Sequence, residues 1–186
     1  MNLTTAVALV LLLALASWAM LAFNRLVRLR NQVRTAWSDV DVQLERRHAL
    51  VPQLVGAVKG YARHEAALLE TVTELRARAT ATSSPAQLGE VESALEQAMG
   101  RLIALQEAYP DLKASDNFLQ LTEHLVDVEE QLQFARRFYN GAVRDYNDGT
   151  QRVPDLLVAR AFGFDDAEFF QAEREAREAP RVELQR

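Results

Sequence analysis

Leu3 to Phe23 is an apolar run of 21 residues, relieved only by Thr4, Thr5 and Ser17. As a helix rising 1.5 Å per residue it would extend about 31 Å, which matches a bilayer hydrocarbon core of about 30 Å. A core helix of a soluble protein would carry more polar face. Ala14, Leu15 and Ala16 resemble a small-x-small cleavage site, but a signal peptide wants Lys or Arg ahead of its apolar stretch, and Asn2 is the only polar residue there. The run is therefore expected to be a transmembrane anchor, residues 1–24, with Trp18 near its inner end as an interfacial aromatic.

Beyond the anchor the pattern acquires a period of seven. One line runs Leu26, Val33, Val40, Arg47, Leu54, Tyr61, Leu68 and Leu75; the other runs Arg30, Trp37, Leu44, Val51, Val58, Glu65, Val72 and Ala79. Thirteen of these sixteen positions are apolar, which is a seam for packing helix on helix. The phase persists through Pro52, so the pattern predicts one helix over 26–79, bent near the proline, with Gly56 and Gly60 softening the next turns. Ser84 and Pro85 then provide a cap and a first-turn proline for a second helix. It carries Leu88, Leu95, Leu102 and Tyr109 on one line and Val91, Ala98 and Leu105 on the other, and Pro110 closes it. From about Ser115 a third helix carries Phe118, Leu125, Leu132, Tyr139 and Tyr146, with Leu121, Val128, Ala135 and Ala142 alongside. Asn147, Asp148 and Gly149 supply turn chemistry. Pro154 to Phe170 reads as a short docking segment with Phe162, Phe164, Phe169 and Phe170 as anchors, and residues 171–186 read as a polar tail. The fold class expected is all-α: an N-terminal transmembrane helix, then an antiparallel bundle of long helices over 25–170 with short C-terminal docking helices.

Charge placement sets the orientation. Residues 1–24 carry no charged side chain, and Arg25, Arg28, Arg30 and Arg34 follow directly. By the positive-inside rule these four hold the C-terminal flank in the cytoplasm and leave a short N-terminus outside, in a single-pass arrangement at the cell membrane. Removing their four charges from the net −5 leaves −9 on residues 35–186, and an acidic body disfavours nucleic acid as a partner. The absence of Cys excludes disulfides, thiolate metal sites and cysteine nucleophiles.

Several stretches resemble the LemA family. They are LRNQVRTAWSDVDVQLERRHALVPQLVGAVKGYARHE from Leu29 to Glu65, EAYPDLKASDNF from Glu107 to Phe118, ARRFYNGAVRDYN from Ala135 to Asn147, and FGF at Phe162 to Phe164. The resemblance covers nearly the whole chain beyond the anchor. It implies a bacterial single-pass inner-membrane protein with a cytoplasmic helical bundle and no established enzymatic activity. The approach to Pro154 departs from the more aromatic one common in the family.

Candidate chemistry is sparse. Glu45 and His48 make one Glu-x-x-His step, whereas a di-iron bundle needs a second such pair and two further carboxylates. No phosphate loop, nucleophile elbow or zinc-protease helix occurs, so no cofactor is expected. Arg47 and Glu65 occupy seam positions about 27 Å apart along a helix and must each find a partner elsewhere, on another helix or at the rim. With Arg46, His48, Pro52 and His64 they form a candidate interaction site. Glu123, Asp127 and Glu130 read as solvated surface. If the first helix does not fold back, the seam of Leu26, Val33, Trp37, Val40, Leu44 and Val51 lacks a partner within the chain. Either the docking segment covers it or a second copy does, making it a candidate self-association seam. Two functions stay open. One is a membrane-tethered scaffold or adaptor without catalysis, partnered by the bilayer and by copies of itself or other membrane proteins, in membrane organisation or membrane-protein quality control. The other is a ligand- or metal-binding bundle, enzyme or sensor, with a polar site near His48.

Overall fold

A computed structural model describes residues 2–170, and among these residues there is helix, turn and irregular backbone but no strand. The elements are α1 (Leu3–Lys59), a short 3-10 turn (Arg63–Glu65), α2 (Ala66–Ala81), α3 (Pro85–Ala104), a second 3-10 turn (Leu105–Glu107), α4 (Pro110–Lys113), α5 (Asp116–Gln151) and α6 (Asp155–Phe162). The all-α expectation is met; the polar tail expected over 171–186 lies outside the described residues. The chain forms two compact units. Of the described residues, one contains those up to Val40 together with Arg137–Ala167, and the other contains Asp41–Arg136 together with Glu168–Phe170.

In the first unit, α1 is bare over its apolar run. Its side chains up to Ser17 are exposed except for half-buried Ala6, and Leu12 and Leu15 are typical at 65% and 63%. This is a helix long and apolar enough to cross a membrane. Packing starts at Trp18. Ala22, Leu26, Tyr146, Val158, Ala159 and Phe164 form the core, flanked by Trp18, Phe23, Val27, Leu29 and Val33. Seam residue Trp37 meets Tyr139 edge to face, with ring centroids 5.1 Å apart. In this unit, then, the docking segment and α5 cover the seam residues Leu26, Val33 and Trp37 within one chain.

The turn expected at Asn147–Gly149 is absent, since α5 continues to Gln151. These residues instead make a platform. The Asn147 side chain accepts from the Ala167 amide at 2.8 Å and donates to its carbonyl at 3.0 Å, and the Thr150 hydroxyl donates to Asp166 at 2.8 Å. A Cβ on Gly149 would lie 2.9 Å from Leu29 Cδ1 and 3.4 Å from Leu26 Cδ2, so glycine serves close approach here rather than chain reversal. The reversal comes later, at Gly163, whose φ of 67° ends α6 in the left-handed region. Of the four expected anchors, Phe164 and Phe170 are buried, whereas Phe162 and Phe169 are 62% and 41% exposed. Phe170 belongs to the second unit.

In the second unit, α1 runs helically through Pro52 and stops at Lys59. The expected helix over 26–79 is thus broken. The chain turns back at Gly60–Ala62, where the Tyr61 and Ala62 amides both donate to the Val58 carbonyl and Ala62 is fully buried. α2 returns along α1, and the Arg76 guanidinium donates to the His48 carbonyl at 2.7 Å. The heptad phase hides this reversal because the turn and the 3-10 segment together take up nearly one heptad. Both helices then present their stripes to one core, of Val51, Leu54, Val58, Leu69 and Val72 with Leu95, Leu102, Leu112, Phe118 and Leu125. Two seam positions at the turn, Tyr61 and Glu65, accordingly fall outside that core. Leu44 and Val51 are 2% and 1% exposed. Of the candidate self-association seam, Leu26, Val40, Leu44 and Val51 thus pack inside one chain at 0–2% exposure.

Helix starts follow local chemistry. Ser84 accepts from the Gln87 amide and has Pro85 behind it, as expected for the start of α3. Ser115 Oγ likewise accepts from the Phe118 amide at 3.4 Å at the start of α5.

Candidate functional site

Arg47 sits on α1 at a seam position and is 1% exposed. A guanidinium at that depth needs counter-charges, and the neighbouring helices must supply them. They supply three. Arg47 Nη1 lies 3.4 Å from Glu92 Oε2 on α3 and 3.4 Å from Glu129 Oε2 on α5, and Nη2 lies 3.9 Å from Glu96. Nη2 also donates to the Glu92 carbonyl at 3.4 Å. Glu92 is itself fully buried and takes His48 Nε2 on its other oxygen at 2.6 Å.

A second guanidinium, Arg136 of α5, joins the same acids, with Nη1 3.6 Å from Glu96 and 4.0 Å from Glu129. Its plane lies over the Phe170 ring at 5.0 Å. Burial lowers the Arg136 pKa from the usual guanidinium range, the Arg47 charge adds to that, and Glu129, Glu96 and Glu92 oppose it. Two guanidiniums and three carboxylates thus hold one another at 3.4–4.0 Å, somewhat beyond the 2.7–2.9 Å of ideal charge-assisted hydrogen bonds. Glu92 Oε2, Arg47 Nε and Arg136 Nε accordingly lack hydrogen-bond partners. The arrangement fixes which turn of α1 faces which turn of α3 and α5.

The six residues of the candidate interaction site separate. Arg47 and His48 enter the network. Arg46, exposed, lines an open groove of about 400 Å³ with Ala49, Leu50, His124, Asp127 and Val128. Pro52 is exposed on α1, and His64 and Glu65 lie in the 3-10 turn beyond the end of α1. Glu45 stays exposed, and His48 turns to Glu92 instead. Among the described residues no group of three His, Cys, Asp or Glu side chains is placed to hold a metal ion.

Glu92, Glu96, Glu129 and Arg136 were not singled out from the sequence. A signal existed: Glu92 follows Leu88, Glu129 follows Leu125 and Arg136 follows Leu132 by four residues, so each lies one turn along a core-facing leucine line. The expected acidic surface is as read, with Glu123, Asp127 and Glu130 all exposed.

Of the membrane-flanking arginines, Arg25 bonds Asp155 of α6 at 3.1 Å and Arg30 lies over the Phe164 ring at 4.9 Å, whereas Arg28 and Arg34 are exposed.

The profile of the LemA family matches residues 36–184. The chain is 25% identical to the magnetosome protein MamQ 1 of Paramagnetospirillum magneticum, over 87% of this chain and 68% of that protein. It is 27% identical to Protein LemA of Metamycoplasma hominis, over 80% and 68% respectively. With the magnetosome protein MamQ of Magnetospirillum gryphiswaldense it shares 22% identity, over 91% and 72%.

Proposed function

The chain belongs to the LemA family, and from that premise we propose that it is a membrane-anchored scaffold, a helical bundle that presents side-chain surface to other membrane proteins and performs no chemistry. The observation that carries this reading is α1, a single 57-residue helix. Its first turns are apolar and exposed, and its later turns build bundle core. One helix therefore serves as both anchor and bundle element. The buried charges support the same reading, because they face one another across three helices. Val126 and Phe134 of α5, 57% and 59% exposed, offer apolar surface to a partner. The relatives named as magnetosome proteins carry a name that refers to a cellular structure and not to a reaction.

The bundle lies in the cytoplasm in this proposal, on the strength of Arg25, Arg28, Arg30 and Arg34. A tag after residue 186 should be protected from protease in intact cells and one at residue 1 accessible; the opposite pattern overturns the orientation. Photocrosslinkers at Val126 and Phe134 should trap one and the same membrane protein, with exposed Thr71 and Arg78 of α2 as comparisons on another helix. Equal trapping at all four positions counts against a scaffold surface on α5.

A further inference from the structure

The first unit leaves large apolar side chains exposed in two places. One is the apolar run of α1, where Met20 and Leu21 are still 67% and 71% exposed. The other is α6 and its approach, where Val153, Leu157 and Phe162 are 75%, 65% and 62% exposed. Leu157 and Ala161 stand one turn apart on an exposed face that also carries Arg160, while Asp155, Val158 and Ala159 are buried on the opposite side.

The position of α6 along α1 is well defined. The core it shares includes Trp18, Ala19, Ala22 and Phe23, all inside the apolar run. Phe162 and Phe164 meet the Phe23 ring edge to face, at 4.9 and 5.5 Å between centroids. The Arg25–Asp155 pair holds the start of α6 just beyond. Trp18 to Phe23 rises about 8 Å along a helix. If residues 3–23 fill the hydrocarbon core, an element packed on that last stretch cannot stand wholly clear of the lipid.

We propose that α6 is an interfacial helix, lying in the headgroup layer of the bilayer that α1 crosses and burying Leu157, Ala161 and the exposed edge of Phe162 among the upper acyl carbons. This rests on the membrane-anchored reading above. Amphipathic helices of this kind sink about 5–10 Å into the headgroup and acyl boundary, the depth that contact with Trp18–Phe23 imposes. Arg28, Arg152 and Arg160, all exposed, are long enough to reach phosphate oxygens while their stems stay against apolar surface. The partner is thus a phospholipid surface, continuous with the lipid around α1. It is favoured over a protein because the face begins where the transmembrane run ends.

The chain has no Cys, so single cysteines report cleanly. The full chain, incorporated at one copy per phospholipid nanodisc, would carry an environment-sensitive fluorophore at Leu157→Cys or Ala161→Cys. Leu12→Cys in the run and Arg144→Cys on α5 are references, and all four sites are exposed, which spares the fold. Quenching by lipids bearing a nitroxide on an upper acyl carbon should be about threefold stronger at 157 and 161 than at 144, and close to that at 12. If 12 is quenched and 157 and 161 behave like 144, α6 stands in water or against protein; this proposal falls and the anchor stands. If 12 is not quenched either, both fall. Protection of 157 from lipid and aqueous quenchers alike would mean cover by the protein itself and also overturns the assignment.

Discussion

The two units bury their contacts by opposite means. In the second, the core contains a charge cluster: Arg47 and Glu92 are 1% and 0% exposed, and Glu129 and Arg136 close the ring. In the first, the core is apolar and aromatic, and register comes from shape. Gly149 admits Leu26 and Leu29, Trp37 meets Tyr139, and the one buried carboxylate, Asp155, pairs with a half-exposed Arg25. Charge pairing discriminates between registers strongly, because a misaligned buried ion has nowhere to go. Shape complementarity discriminates weakly per contact but costs no desolvation.

The sharpest way to break this contrast is Arg47→Ala. It strands Glu92 without its cation and should cost about 3–5 kcal/mol, read from denaturant unfolding of the full chain in detergent. The matched double replacement Arg47→Met with Glu92→Leu should recover most of that loss. A single substitution that costs under about 1 kcal/mol would mean that the cluster does not hold the helices. Next in size is Phe164→Ala in the first unit, expected to lose about 3 kcal/mol as a buried aromatic, against a far smaller loss for Phe169→Ala, whose ring is 41% exposed.

Gly149→Ala distinguishes the two principles by sign. In an ordinary helix interior it should stabilise by about 1 kcal/mol. The 2.9 Å approach of Leu29 Cδ1 makes the opposite outcome the expected one, a net loss of about 1 kcal/mol as that side chain is displaced. A net gain would show that the first unit is looser than its contacts imply.

The smallest effect is alkaline. Burial raises the Tyr146 pKa, with Asp165 and Asp166 reinforcing it and Arg30 and Arg34 opposing it. A phenol whose folded pKa lies above its unfolded value contributes stability that is intact below about pH 10 and is lost as pH climbs through the folded value. Melting measured from pH 9 to 11 should show that decline, and Tyr146→Phe should flatten it. A decline unchanged by the substitution would assign it to another group.

Much of this was legible from periodicity alone. The start of α3 at Ser84–Pro85, the start of α5 after Ser115 and the burial of Leu95, Leu102, Leu132 and Tyr139 follow from heptad spacing and capping chemistry. The reversal at Gly60–Ala62 was not, because a turn of nearly one heptad leaves the phase unchanged on either side. Asn147–Gly149 misled for a different reason. Turn-forming residues also suit a helix that must accept side-chain hydrogen bonds and close approach, and sequence does not say which demand is present. The charge cluster was half legible: Arg47 stood out as an exception on its seam, whereas its partners looked like ordinary flanking charges.

Local order thus determined the helices, their caps, the apolar run and the arginines after it, all properties set within a turn or two of backbone. The tertiary structure decided what a local pattern cannot encode. It determined which acids reach Arg47 from α3 and α5, that α2 returns along α1, and that α6 docks at the height of Phe23. A buried charge or an exposed leucine is defined by what lies across from it, and residues 45 to 130 positions away in sequence become neighbours only when the chain closes on itself.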